Sequence, residues 1–219
     1  MSARKRPVRV VIEATEKRAF ASAVDWPGWS RTARTDEAAL QALAEHAERY
    51  AVVAAKAGIP FALGEYTVIE RVPGTATTDF GAPDVPAAAE REPLNSADAR
   101  RTVSLVEAAW AVLDRVARGA PPSLRKGPRG GGRDRDAILE HVLAAEHAYA
   151  RKLGVKVPAP HRDQKKAIAT LREAIVEVLR DARSADVLVE HPWLPRYAAR
   201  RIAWHVIDHA WEIENRSEL

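Results

Sequence analysis

Two histidines near the end of the chain constrain the fold more than any other feature. His205 and His209 are four residues apart, so an α-helix would place both side chains on one face. Apolar residues recur on that face at three- and four-residue steps, which predicts that the face is buried. Buried imidazoles need hydrogen-bond partners or a shared metal ion. The pair alone supplies two of the three or four ligands that zinc or nickel requires.

A third histidine lies on another predicted helix. His141 falls on the apolar stripe of a helix predicted over 134–153, whereas His147 falls off that stripe. His141 is about as far from the end of its helix as His205 and His209 are from Pro195, which opens the last helix. At a rise of about 1.5 Å per residue, antiparallel helices would therefore hold all three histidines at one depth. The alternative is a set of hydrogen-bonded core histidines without a metal.

Length and composition limit the classes of function. The chain has 219 residues, of which 47% are hydrophobic and 29% charged, as in a globular protein of one or two domains. No apolar run approaches the roughly 20 residues of a membrane span, so no membrane partner is expected. The chain has no cysteine, which limits metal ligands to His, Asp and Glu and favours a cytoplasmic location. The net charge of +4 is modest and acidic residues are interleaved, so nucleic-acid binding is not expected.

Residues 1–72 are predicted to form a small α+β domain of order β-β-β-α-β. Alternation and β-branched residues indicate the strands, and Thr35 or Asp36 is a suitable N-cap for the helix. The predicted elements are strands over 8–14, 18–24, 30–35 and 66–72, and one helix that runs from the cap to Gly58-Ile59-Pro60.

This segment resembles the HicB-like antitoxin fold. The resemblance rests on Phe-Ala-Ser-Ala-Val-Asp at 20–25, the Pro27-Gly28 turn, and Thr-Asp-Glu-Ala at 35–38. It implies a regulatory domain of the kind that pairs with a small RNA-cleaving toxin. The chain carries no evident helix-turn-helix or basic tail of the kind that many such proteins use to bind DNA.

Residues 73–93 are rich in Pro, Gly, Ala and Thr and lack an apolar period, which predicts a linker. Residues 94–219 contain four segments with apolar residues at helical spacing, which predicts a four-helix bundle. The third of these helices is predicted over 162–182. The predicted fold class is α+β, mainly α. Antiparallel second and fourth helices require the connection over 154–161 to cross the bundle.

A Gly/Pro/Arg loop over 119–133 separates the first two of these helices. It contains Arg125, Lys126, Arg129 and Arg133, which could contact an anion. A solvated loop is the more common role of such a segment.

The chain from 96 to 218 resembles the DinB-like family of metalloenzymes. The resemblance rests on Ile-Leu-Glu-His-Val-Leu-Ala-Ala-Glu at 138–146 and Ile-Ala-Trp-His-Val-Ile-Asp-His at 202–209. It implies a divalent metal ion inside a four-helix bundle, with His141, His205 and His209 as ligands. Some members transfer substrates to a low-molecular-weight thiol such as mycothiol or bacillithiol, and many have no assigned reaction.

Three charged residues of the last helix are further candidates. Asp208 and Glu212 could accept a hydrogen bond from a histidine ring, although carboxylates on a helix surface are equally common. Arg201 lies one turn before His205 and, with Arg196 and Arg200, could hold an anionic substrate or a thiol cofactor, although solvated charges are the default.

Two functions follow from these observations. Three histidines leave coordination positions open, which indicates a metal-dependent thiol transferase or hydrolase that acts on a small molecule. The alternative is a non-enzymatic regulator whose N-terminal domain binds a protein or RNA partner. A homodimer is left open by the sequence.

Overall fold

The computed structural model describes residues 5–127, 130–181 and 193–217, which form a mixed and mainly helical α+β fold. The predicted fold class is therefore confirmed at this level. In chain order the elements are β1 Arg6–Ala14, β2 Ala19–Ala23, β3 Ser30–Ala33, α1 Asp36–Glu45, α2 Ala47–Lys56, β4 Leu63–Pro73, α3 Ala76–Phe80, α4 Ala88–Arg91, α5 Ser96–Gly119, α6 Arg135–Lys152, α7 Lys165–Arg180 and α8 Pro195–Ser217.

The four strands form one sheet in the order β3-β2-β1-β4. β1 pairs antiparallel with β2 and parallel with β4. Val10 and Val11 are both buried although consecutive side chains of a strand point to opposite faces, so this central strand is covered on both sides. All four predicted strands are present, with ends that differ by a few residues.

The helix predicted after the third strand is interrupted at His46. Thr35 caps α1 as predicted, because its hydroxyl accepts a hydrogen bond from the backbone of Ala38. At His46 the backbone leaves the helical region, and the ring Nδ1 lies 2.9 Å from the Ala42 carbonyl oxygen. The single predicted helix is therefore two helices, α1 and α2.

Residues 73–93, predicted as a linker, contain α3 and α4 and pack against β1. The buried carboxylate of Glu13 accepts hydrogen bonds from the Thr78 hydroxyl at 2.5 Å and from the Asp84 and Val85 backbone amides at 2.9 and 3.0 Å. The composition did not predict this arrangement. The segment is attached by hydrogen bonds of polar side chains and of the backbone, and not by an apolar stripe that a sequence pattern would show. The boundaries at 72 and 94, and with them the independence of two domains, stay predictions.

The same segment is joined to α8 by a buried ion pair. Arg200 donates to both carboxylate oxygens of Glu90, at 2.5 and 2.9 Å, and to the Val85 carbonyl at 2.9 Å. The two charged side chains are 7% and 3% exposed. Tyr197 adds a hydrogen bond of 2.5 Å to the Asp84 carbonyl. The first turns of α8 are thereby fixed to residues 84–90.

The helices α6 and α8 run antiparallel, as the depths of the histidines predict. Just before α8, the Trp193 amide donates to the carbonyl of Lys152 at the end of α6. At the other end, the Arg125 amide of the loop before α6 donates to Arg216 near the end of α8.

The chain returns along α6 before α7 begins, so α6 and α7 run parallel. His147 lies 3.0 Å from the Val157 carbonyl, and Arg162 pairs at 3.0 Å with Asp136 in the first turn of α6. α7 ends at Arg180, and Ala182 of the predicted helix lies outside the described residues.

The helix α8 also contacts the sheet. Trp204 packs edge-to-face on Phe20 of β2, with ring centroids 6.0 Å apart. At Gly28 in the β2–β3 turn, an added Cβ would lie 2.5 Å from Ile207 and 2.9 Å from the backbone of Ala203. Within the described ranges, no helix is both long enough and apolar enough to cross a membrane.

Candidate metal centre

The antiparallel helices α6 and α8 bring the three predicted histidines together. A ring nitrogen from each of His141, His205 and His209 lies within 4.8 Å of the other two. The Nε2 atoms of His141 and His205 are 3.2 Å apart. The ring centroids are separated by 4.6 to 5.0 Å. His205 is buried and the other two rings are half-buried, so the cluster lies at the edge of the helical core.

Burial favours the neutral form of the His205 and His141 rings. Burial, together with smaller effects of the neighbouring His209 and His141, lowers the pKa of His205 to about 2. Burial is also the main cause that lowers the pKa of His141. A neutral imidazole has one unprotonated nitrogen, which can accept a hydrogen bond or bind a metal ion. Near pH 7 the cluster therefore offers nitrogen lone pairs.

Glu212 is the one candidate carboxylate that contacts the cluster. Its Oε2 lies 2.8 Å from Nδ1 of His209, and its Oε1 accepts a hydrogen bond of 2.6 Å from Arg216. The hydrogen bond to His209 lowers the pKa of Glu212, and Arg216 adds to this effect against the opposing effect of burial. An ionised Glu212 holds the His209 proton on Nδ1 and leaves Nε2 as the free nitrogen.

Asp208 points away from the histidines to the sheet. It forms an ion pair of 3.0 Å with Arg31 on the edge strand β3. The structure therefore shows Asp208 in contact with Arg31, and not as an acceptor for a histidine ring as the sequence had suggested.

Arg201 is buried, in contrast to the default interpretation of this residue as a solvated charge. It is 5% exposed, and it donates to the Pro83 carbonyl oxygen. Its guanidinium lies 5.4 to 5.7 Å from the ring centroids of Tyr149, Trp193 and Trp204. Arg201 is thus enclosed by aromatic rings and by the segment before α4, and it is not a solvated charge.

Two features near the cluster were not predicted as parts of the site. The Tyr149 ring lies 5.8 Å from His205 and 4.9 Å from Trp193, which forms an aromatic wall beside the cluster. Its position two turns after His141 on one helix face was a usable signal. Deeper in α6, the buried Glu146 pairs with Arg172 at 3.0 Å, and burial raises the pKa of Glu146.

The donor set fits a divalent metal ion. Zinc binds histidine nitrogen at about 2.0–2.1 Å, so two ligands of a tetrahedral site lie about 3.3–3.4 Å apart. The observed 3.2 Å between the Nε2 atoms of His141 and His205 is close to that separation. Three imidazole nitrogens without a thiolate suit zinc or nickel and leave coordination positions for a further ligand.

Comparisons with protein-family models, curated proteins and solved structures gave no match. The DinB-like and HicB-like resemblances therefore stay predictions, and the function must be argued from the site.

Proposed function

We propose that this protein binds one divalent metal ion, zinc or nickel, through His141, His205 and His209. In this proposal α5–α8 form a DinB-like four-helix bundle that holds the ion between α6 and α8. The observation that carries the proposal is the convergence of three nitrogen donors from two antiparallel helices, two of them 3.2 Å apart. A core histidine pair could share one proton at that distance, but the third ring at the same depth favours a shared ion.

The chemistry that follows is metal-dependent thiol transfer or a related hydrolysis of a small molecule. A bound divalent ion supplies a Lewis acid that lowers the pKa of a coordinated thiol or water. The residues of the chain contribute orientation and shielding. Glu212 fixes the tautomer of His209, and Tyr149 with Trp193 covers the side of the cluster next to His205. The cytoplasmic location and the small-molecule substrate stay predictions.

The test is metal stoichiometry in protein purified without an affinity tag. Elemental analysis and titration with Zn²⁺ or Ni²⁺ should give about one ion per chain, because the described residues contain one such cluster. His141→Ala, His205→Ala and His209→Ala should each lose stoichiometric binding, because two ligands hold a divalent ion too weakly.

Two further histidines provide matched controls. His147→Ala and His161→Ala should retain the metal, because His147 contacts the Val157 carbonyl and His161 is exposed beside Asp163. Circular dichroism should show that all five variants fold. If the wild-type protein takes up neither ion in excess at neutral pH, the ligand assignment is wrong.

The regulator remains the second candidate, and the cavities among the described residues bear on it. Three cavities, of about 230, 630 and 370 Å³, are lined by residues other than the three histidines. In this alternative, the HicB-like N-terminal part binds a protein or RNA partner and the helices form a scaffold. Stoichiometric metal binding, without binding of any small ligand that is tested, would favour a scaffold that contains a structural ion.

A further inference from the structure

In the loop before α6, hydrogen bonds to Lys126 and Gly127 hold the backbone of residues 130–134, which includes Arg133. The Gly127 amide donates to the Gly131 carbonyl at 2.8 Å. Lys126 donates to the Gly132 carbonyl at 3.2 Å and pairs with Asp134 at 2.5 Å. Arg133 therefore lies between two residues that are both tied to Lys126.

This loop is attached to the end of α8 that carries Glu212. The Arg125 amide donates to the Arg216 carbonyl at 2.9 Å, and Nε of Arg216 donates to the Arg125 carbonyl at 2.8 Å. Gly132 lies so close that an added Cβ would be 2.7 Å from Nη2 of Arg216. Arg216 in turn donates to Glu212, which contacts His209. The loop and the histidine cluster are therefore joined by a short chain of contacts.

Arg133 lies at the end of α6 from which the helix leads to His141. It is exposed and lies two residues before α6, and His141 follows in the second turn of that helix. Helix side chains lean towards the N-terminus, so the His141 ring leans towards the loop.

The charges around the cluster do not balance. Glu212 is the carboxylate in contact with it, and it is already shared by His209 and Arg216. Arg201, at the other end, donates to a backbone carbonyl. Within the described ranges, Arg133 has neither a hydrogen bond nor an ion pair. A divalent ion would add two positive charges that neutral imidazoles do not offset.

We propose that the site takes an anionic small molecule and that Arg133 contacts the oxyanion group of that ligand. This inference rests on the proposed metal site and deepens it by naming the ligand class. A guanidinium suits the task because its planar donors bind a carboxylate or a phosphate in a bidentate manner. Arg133 is thereby a specificity residue, and the metal ligands remain the three histidines.

The experiment uses the full chain loaded with Co²⁺, whose visible spectrum reports on the ligands of the ion. Succinate, its neutral analogue succinamide and inorganic phosphate are titrated into wild-type protein and into Arg133→Gln, Arg133→Lys and Arg151→Gln. Arg151 is an exposed arginine in the last turn of α6, at the opposite end of the helix from Arg133. Arg151→Gln changes the net charge by the same amount as Arg133→Gln. Uptake of Co²⁺ is measured first for every variant.

We expect succinate or phosphate, but not succinamide, to change the spectrum of the wild-type protein. Arg133→Gln should weaken this binding about tenfold or more, Arg133→Lys less, and Arg151→Gln not at all. A response to succinate alone or phosphate alone supports the inference and identifies the oxyanion.

Three outcomes would overturn the inference. These are equal affinities for wild type and Arg133→Gln, measurable binding of succinate and succinamide with equal affinity, and the absence of any oxyanion binding. In each of these cases, the measured uptake of Co²⁺ would show that the metal site is intact and that only the inference about the ligand is wrong. Failure of the wild-type protein to take up Co²⁺, Zn²⁺ or Ni²⁺ would instead refute the proposed function itself.

Discussion

Arg31 on the edge strand β3 forms an ion pair of 3.0 Å with Asp208, the residue that precedes His209 on α8. Four residues earlier, Trp204 packs on Phe20 of β2 and precedes His205. The two faces of α8 thus have different partners, with the sheet on one side and the histidine cluster with α6 on the other. The sheet braces the helix that supplies two of the three nitrogen donors, which is a physical reason for the two parts to share one chain.

The first prediction separates the two carboxylates of α8. Glu212→Gln should weaken metal binding about 10- to 100-fold, because a neutral amide no longer holds the His209 proton as strongly. Asp208→Asn makes the same change in charge one turn away but contacts Arg31, so metal affinity should stay within about threefold. Competition with a chromogenic chelator measures both affinities. Equal losses in the two variants would show that net charge, and not the contact with His209, controls the affinity.

The second prediction concerns the stability of the metal-free protein against pH. His205 has a native-state pKa of about 2, whereas an unfolded chain takes up this proton near pH 6.5. The stabilisation is therefore complete above pH 6.5 and is lost as the pH falls. Between pH 6.5 and 5 the free energy of unfolding should fall by about 2 kcal/mol on account of this residue.

Urea denaturation in the presence of a chelator, at both pH values, measures this effect for the wild type and for His205→Gln. Glu146 acts in the opposite direction because burial raises its pKa, but its contribution cancels between the two proteins. The fall should be smaller in His205→Gln by about 2 kcal/mol. An equal fall in both proteins would mean that His205 is protonated normally in the native state.

The sequence predicted the secondary structure well wherever apolar residues recur with one clear period. Helical stripes gave the cores of α5–α8, and the matched depths of His141 and His205 gave the antiparallel relation of α6 and α8. The interruption at His46 was missed because it depends on a hydrogen bond between a ring and the backbone, which leaves no trace in hydropathy.

The charged residues were harder to predict because their roles depend on distant partners. Asp208 and Glu212 look equivalent on a helix, yet one faces Arg31 and the other His209. Arg201 looks solvated until residues 73–93 cover it, and composition gave no sign that this segment packs. The role of a charged side chain that is buried can be predicted only when its tertiary contacts are known.

The third prediction concerns the buried pair of Glu90 and Arg200. Glu90→Gln leaves the Arg200 charge buried without its partner and should lower the free energy of unfolding by about 3–5 kcal/mol. Asp25→Asn is the control, because it breaks an ion pair with Arg9 whose side chains are 37% and 39% exposed, and it should cost at most about 1 kcal/mol. The double variant Glu90→Leu with Arg200→Met should recover much of the loss. Urea denaturation measures all three, and similar costs for the buried and exposed pairs would contradict the packing of residues 84–90 on α8.

The last prediction tests the contact between the sheet and α8 through two glycines with positive φ. Gly28 has a φ of 93°, and a Cβ there would lie 2.9 Å from the backbone of Ala203 and 2.5 Å from Ile207. Gly58 has a φ of 68° and no atom within 4 Å of an added Cβ. Gly58→Ala should therefore cost only the backbone strain of about 1–2 kcal/mol.

Gly28→Ala adds a steric term of about 1–3 kcal/mol to the same strain, because the turn and α8 must move apart. Its thermal and urea stability should fall clearly below that of Gly58→Ala. The displaced α8 should also bind metal more weakly than in Gly58→Ala, because His205 and His209 follow Ala203 within two turns. Equal stabilities of the two variants would show that the β2–β3 turn does not pack on α8 in solution.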